Sequence, residues 1–247
     1  MHGESGDTAR SRFSLILPAH NEEELLASTV SNLMTGIAKR DVSYEIVIVE
    51  NGSTDRTGAI ALELAAHHDV ITTLTLPVGD YGAALATGFG VSGGDIVVSF
   101  DVDYYDLAFL DAAATLIDTE GADIVVASKR TAGADDRRSW LRRLLTFGFT
   151  TLLRWMVDLP VSDAHGMKAM RRATVAPLVA QCQLRGSLYD VELVCRAGRA
   201  GLTIRELPAT VIELRPVRSS VGRRAIEGLV SMIRLRRILR AEDRTRP

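Results

Sequence analysis

Three times before residue 104, a short apolar stretch runs directly into a cluster of polar side chains. That recurrence constrains the fold more than any other feature of the 247 residues. Phe13–Leu17 stops at Pro18 and is followed by Ala19, His20, Asn21 and Glu22. Tyr44–Val49 runs into Glu50-Asn51-Gly52-Ser53-Thr54-Asp55, and Asp95–Phe100 into Asp101-Val102-Asp103. Apolar runs this short, rich in β-branched residues, read as strands buried on both faces. Val70–Leu76 and Ala122–Ser128 read as two more. Between them the spacing turns helical. Asn21 is expected to cap a first helix that carries Glu22, Glu23 and Glu24 in its opening turn and reaches about Lys39. Thr54 or Asp55 is expected to cap a second helix, through about His67. Ala83–Val91, after a Gly79–Gly82 turn, and Leu107–Thr119 complete the set. Alternating strand and helix predicts an α/β fold with a mostly parallel central sheet and right-handed crossovers. Ligands of such sheets sit at the carboxyl ends of the strands, where all three polar clusters fall.

The second half is less regular. Trp140–Val157 reads as an apolar helix and Val161–Ala169 as a turn leading into a short strand. Glu192–Ala200 reads as a helix closed by Gly201 at its C′ position. Thr203–Glu213 reads as a strand interrupted by Pro208, hence an edge. Arg223–Arg240 reads as a basic amphipathic helix with Ile226, Leu229, Val230, Ile233 and Arg237 spaced by threes and fours. The organisation expected is a disordered tail over 1–12, one α/β domain over 13–220, and a basic amphipathic C-terminal helix and tail over 221–247.

Several classes are excluded or disfavoured. No Gly-x-Gly-x-x-Gly follows the first strand and no Walker-type loop occurs, so the usual dinucleotide and ATP fingerprints are missing. No stretch approaches the roughly 20 consecutive apolar residues of a membrane span. Met1–Arg12 is polar and reads as no secretory signal. Cys182 and Cys195 are the only cysteines, too few for a disulfide framework, so a cytoplasmic setting is expected. The net charge of −2 hides an asymmetry: from Glu213 onward ten arginines stand against four acids. A basic tail on an acidic body points to an anionic partner, such as a phosphate group or a membrane surface met by 223–240, with peripheral attachment at the cytoplasmic face. A solvated helix packed on the domain is the plainer alternative, and nothing points to nucleic acid.

Asp101 and Asp103 are the sharpest chemical signal. Two carboxylates two residues apart at a strand end suit one hard cation, Mg²⁺ or Mn²⁺, which takes oxygen ligands. The alternative is that Asp101 caps the next helix and Asp103 is solvated. Asp163 is the candidate general base, against a loop carboxylate satisfied by backbone N–H groups. His165 is a candidate phosphate contact or third metal ligand. The cysteines read as small buried apolar residues, and Trp140 and Trp155 as core or interface.

Taken in order, these segments resemble the family 2 glycosyltransferases of the GT-A fold, a Rossmann-like α/β architecture. Leu15-Ile16-Leu17-Pro18-Ala19-His20-Asn21-Glu22 is similar to that family's opening strand and Pro-x-x-Asn-Glu turn. Val47-Ile48-Val49-Glu50-Asn51-Gly52-Ser53-Thr54-Asp55 is similar to its Asp-Asp-Gly-Ser-x-Asp turn, and Asp101-Val102-Asp103 falls where its Asp-x-Asp stands. The later segments look most like the dolichol- or polyprenol-phosphate mannosyltransferases: Asp163 to Arg172, Asp190-Val191-Glu192-Leu193, Glu206-Leu207-Pro208, and Arg215 to Ser220. The likeness covers about Phe13 to Ser220. It implies a metal-dependent, inverting transfer of a hexose, mannose among the options, from a GDP- or UDP-sugar. Pro18, Ala19, Asn21 and Glu22 would line the nucleoside pocket, with Val102 beside Asp101. Glu50, Ser53 and Asp55 would hold base and ribose. Asp101 and Asp103 would hold the metal on the diphosphate. Lys129, Arg130, Arg143, His165 and Arg218 would meet phosphate oxygens of donor or acceptor.

Four positions depart from the pattern. Glu50 replaces an Asp. The Pro77–Gly82 loop lacks its basic residues and holds Asp80. Tyr105 stands where the mannosyltransferases have a metal-binding Gln, unless Asp106 moves in. His165 and Met167 alter the acceptor-side loop. A lipid-phosphate acceptor is already anionic and needs no base; a hydroxyl acceptor does. The expectation is a polyprenol-phosphate acceptor, with a hydroxyl acceptor as the close alternative and a non-catalytic nucleotide-sugar binder as a further one.

Overall fold

The computed structural model describes residues 11–131, 135–136, 140–211 and 221–245. Side chains are described except at 135–136, 140–146, 149, 187, 210–211, 221–227 and 244–245. The tail expected over 1–12 lies outside these residues up to Arg10.

A seven-stranded sheet forms the centre. Its strands are β1 (Phe13–Ala19), β2 (Tyr44–Asn51), β3 (Ile71–Leu76), β4 (Ile96–Ser99), β5 (Ile124–Ser128), β7 (Lys168–Arg171) and β8 (Ile204–Pro208). They run in the order β3-β2-β1-β4-β7-β5-β8. Every pairing is parallel except those of β7, which is antiparallel to both β4 and β5. Two short strands, β6 (Asp135–Asp136) and β9 (Thr210–Val211), pair separately. The long strand expected over 203–213 is therefore two strands in two sheets, with Pro208 closing the first, and β8 is indeed an edge.

Strand alternation divides the core into two faces. Leu15 and Leu17 of β1 point towards α1 (Leu26–Ala38), α2 (Thr57–His67) and α4 (Leu107–Thr119), meeting Leu33, Ala61 and Leu110. Ile16 points the other way, towards α3 (Tyr81–Val91), α6 (Arg172–Val179) and α7 (Tyr189–Arg199), where Leu85, Val175 and Leu193 lie. A third cluster joins α5 (Trp140–Val157) and α8 (Val221–Thr245) to the far side of α7 through Leu153, Val157, Val194, Met232, Leu235 and Leu239.

Some boundaries moved for identifiable reasons. α1 begins at Leu26, not after Asn21, because Asn21 takes a left-handed conformation at φ 56° and no side chain caps Leu25. α3 begins two residues early because Asp80 caps it, accepting from the Ala83 N–H at 3.0 Å. α7 begins at Tyr189, and α6 is a helix that the sequence pattern did not announce. Gly201 does close α7, at φ 75°, and Leu202 N–H returns to the Ala197 carbonyl.

Candidate active site

The polar turns after β1 and β2 are laced to each other. The Asn21 side-chain oxygen accepts from the Thr54 N–H at 2.8 Å, and Ser53 Oγ accepts from the Asn21 N–H at 3.1 Å. Thr57 Oγ1 accepts from the Glu22 N–H at 2.7 Å, and Asp55 accepts from the Thr57 N–H and hydroxyl. Glu50, buried at the end of β2, turns back to accept from the Ser53 N–H. Burial works against ionisation of Asp55, but the Thr57 hydroxyl and several backbone N–H groups outweigh it and lower its pKa. The side chains read from sequence as nucleoside contacts thus first serve to shape a wall. Pro18 and Ala19 are its buried base. Gly52, at φ 65°, is required here: a Cβ would stand 2.6 Å from the Gly79 nitrogen of the crossing loop.

The next wall is acidic. β4 leads into Phe100 and then Asp101, whose N–H and carbonyl pair with Tyr104 in a tight turn. Val102 is buried, and its carbonyl accepts from Thr29 Oγ1 at 2.7 Å, which pins the turn to α1. Asp101 Oδ1 accepts from the Tyr81 hydroxyl at 3.1 Å. Burial first, and the charge of the more exposed Asp103 second, push the Asp101 carboxyl up to about 6. Asp101 therefore does not cap α4. Asp106 does, accepting from the Ala108 N–H at 2.7 Å. Tyr105 packs its ring near Phe100.

Behind Asp101 lies a buried ion pair. Lys168, 1% exposed at the start of β7, puts Nζ 2.9 Å from Asp190 Oδ2 and 2.7 Å from the Gly166 carbonyl. Both charges are felt at Asp101. Lys168 and Tyr81 were not singled out in the sequence. The only sequence signal was a lysine inside an apolar strand and a tyrosine where a basic loop was expected.

The third wall comes from the loop before β7. Asp163 is 1% exposed; its Oδ1 accepts from the His165 N–H at 3.0 Å and lies 3.7 Å from His165 Nδ1. Burial opposes its ionisation. The His165 ring and N–H and the charge of Lys129 more than compensate, holding the carboxyl well below the usual carboxylate range. Its Oδ2 is buried without a hydrogen-bond partner, as is the Tyr104 hydroxyl, whose pKa is pushed up to about 12 by burial and by Asp106, Asp101 and Asp163. Arg130 stacks over the Phe147 ring at 4.7 Å, and its Nη1 is buried and unpartnered. Its N–H reaches Ser128 Oγ, which bonds to Ser162; Ser162 in turn donates to Glu206. The side chain of Arg143 and all of Arg218 lie outside what the structure describes.

The donor set suits a hard cation: two carboxylate oxygens sources side by side, one buried and destabilised by its neighbour's charge, with orphaned polar atoms on the adjoining wall. His165 stands with Asp163, and among the described residues no three His, Cys, Asp or Glu side chains form a metal-holding group. Asp80, read as an acid in a phosphate loop, is structural: beyond capping α3 it accepts from the Gly186 N–H at 2.9 Å.

Polar turns and an acidic pair converge at the carboxyl ends of the strands, where open α/β sheets hold their ligands. Residues 14–177 match Glycosyl transferase family 2, and the chain belongs to that family. It is similar to the dolichyl-phosphate beta-glucosyltransferase ALG5A of Trichomonas vaginalis, at 29% identity over 82% of this chain and 66% of that protein. The probable glycosyltransferase YdaM of Bacillus subtilis is 26% identical over 81% of this chain and 50% of its own. This chain thus spans about two thirds of the first relative and half of the second. An uncharacterized glycosyltransferase of Mycobacterium tuberculosis is 30% identical over 78% of this chain and 82% of its own. The same fold occurs in glucosyl-3-phosphoglycerate synthase from M. tuberculosis, in complex with Mn²⁺, UDP-glucose and phosphoglyceric acid: TM-score 0.64, 21% identity, over 91% of this chain and 80% of that one. The fold is GT-A.

Proposed function

We propose that this protein transfers a hexose from a UDP- or GDP-sugar to a polyprenol phosphate, with Mg²⁺ or Mn²⁺ held by Asp101 and Asp103. The observation that carries the acceptor is the state of Asp163. A carboxyl held well below its usual range is a weak base at neutral pH, and at 1% exposure it has little access to an incoming hydroxyl. A phosphate acceptor is ionised already. Lys129 and the unpartnered Nη1 of Arg130 supply positive charge on the same side of the cleft. The Trichomonas relative is named for transfer of glucose to dolichyl phosphate, which agrees and favours glucose over mannose as the first sugar to try.

In this reading the two laced turns seat the nucleoside. Tyr81 fixes the orientation of Asp101, and the Lys168–Asp190 pair supports the floor beneath it. The metal, when bound, neutralises the diphosphate as it departs. Arg130 and Lys129 orient the acceptor phosphate for attack at the anomeric carbon.

The test is transfer from radiolabelled UDP-glucose or GDP-mannose to a polyprenol phosphate with Mn²⁺. Asp101→Asn is expected to lower turnover by roughly two to three orders of magnitude, while Asp163→Asn keeps most of it. No lipid-linked product from any nucleotide sugar would refute the reading.

A second reading is a hydroxyl acceptor, with His165 as the base and Asp163 orienting its ring. The 3.7 Å approach of Nδ1 to Asp163 favours it. His165→Gln and Asp163→Asn would then both abolish transfer to the hydroxyl substrate.

A further inference from the structure

α8 carries two apolar stripes, and only one of them is covered. Met232, Leu235 and Leu239 are buried against α5 and α7. The stripe visible in the sequence, Leu229, Val230 and Ile233, faces outward, with Val230 62% exposed. On the neighbouring α5, Phe147 and Trp155 are also exposed, Trp155 at 74%. The two helices pack together, and the Arg236 guanidinium, on the same side of α8 as Leu229, lies 5.8 Å from the centre of the Trp155 ring, so Trp155 borders the outward stripe. Leu229, Val230, Ile233 and Trp155 together exceed the scattered exposure normal for a surface.

The charges on α8 are segregated. Glu242 and Asp243 turn inward to Arg196 and Arg199, with Arg196 Nη2 2.9 Å from Glu242 and Arg199 Nη1 2.7 Å from Asp243. The outward arc keeps Arg234, Arg237 and Arg240, exposed and unpaired to any acid among the described residues. We propose that this two-helix face docks onto the anionic surface of a lipid bilayer. Trp155 and the aliphatic stripe enter the headgroup boundary and the arginines meet lipid phosphates. A second copy of the chain fits the face less well. A twofold contact would set the same arginines against each other, with no acid among the described side chains of the arc to answer them. No helix among the described residues is long and apolar enough to cross a membrane, so the contact is superficial. The inference stands apart from the acceptor, because it requires no lipid-linked substrate.

The test is sedimentation of the full chain, without donor, on phosphatidylcholine vesicles and on vesicles in which about a third of the lipid is phosphatidylglycerol. The chain is expected to pellet with the anionic vesicles alone, to be released by salt, and to show a blue shift in Trp155 emission that Trp155→Phe removes. Arg237→Gln is expected to weaken partition roughly fivefold, and Ile233→Asp more, with thermal stability and donor binding unchanged in both. Equal pelleting on neutral vesicles, or none on anionic ones, overturns the proposal. So does a dimer in light scattering that Ile233→Asp returns to a monomer, since a second copy would then cover the face. Transfer activity in detergent, where no bilayer exists, reports on the acceptor reading separately.

Discussion

The two sides of the cleft are built with different materials. On the side of β1 and β2, polar side chains, from half-exposed Asn21 and Ser53 to buried Thr57, hold the turns in shape by accepting from backbone N–H groups: Asn21 from Thr54, Ser53 from Asn21, Thr57 from Glu22. On the side of β7 and α7, the supports are buried charges: Lys168 with Asp190, and Arg196 between Glu192 and Glu242. At half-exposed Asn21 and Ser53 the loss of one bond is tolerated, because water can replace it. A buried charge has no such substitute, so the second side is more tightly specified and more sensitive to pH.

The sharpest way to break this contrast is Lys168→Met, which leaves Asp190 buried and unpaired. It is expected to cost about 3–5 kcal/mol of stability, read by chemical denaturation, and to lower activity through Asp101 even where the protein stays folded. Asn21→Ala should cost less, about 2 kcal/mol, from the lost bond to Thr54 and the strain of a left-handed alanine; its main effect is expected in the donor KM. If the two losses proved equal, the two sides would not differ as described.

Acid sharpens the comparison. Asp163 has a folded-state pKa below its unfolded value, so the unfolded chain takes up the proton first. Its stabilisation is present above about pH 4 and is lost as pH falls further towards the folded value. Asp163→Asn should therefore flatten the acid limb of the stability curve, followed by thermal unfolding below pH 4. The smallest effect is expected from Glu242→Gln, under about 1 kcal/mol, because that carboxylate is partly exposed and Arg196 keeps Glu192.

Much of the fold on the side of β1 and β2 was legible because its signals are local. Apolar strands that end in polar clusters, and the Asp101-Val102-Asp103 step, sit within a few residues of one another. Even there the helix after Asn21 was misplaced, because a residue that suits an N-cap equally suits a left-handed turn. Tyr81 and Lys168 were not legible, and Asp190 was marked only as part of a resembling segment. Their meaning comes from partners 20 or more positions away in the chain. The face on which α8 packs was hidden for another reason: Met232, Leu235 and Leu239 repeat with the same spacing as Leu229, Val230 and Ile233, and periodicity alone does not rank two stripes on one helix.

One consequence follows from the direction of β7. Because it runs against its neighbours, with Lys168 opposite Ser99 and Val126, it is the incoming loop that opens onto the cleft. That loop is fastened at three points: Pro160 against Gly198, Ser162 to Glu206, and Gly166 against the Ala127 carbonyl. Between the fastenings stand Asp163, Ala164 and His165. Under the proposed function, acceptor preference would be gathered into a cassette a few residues long, and exchanging it between relatives is expected to change the acceptor while leaving the donor KM unaltered.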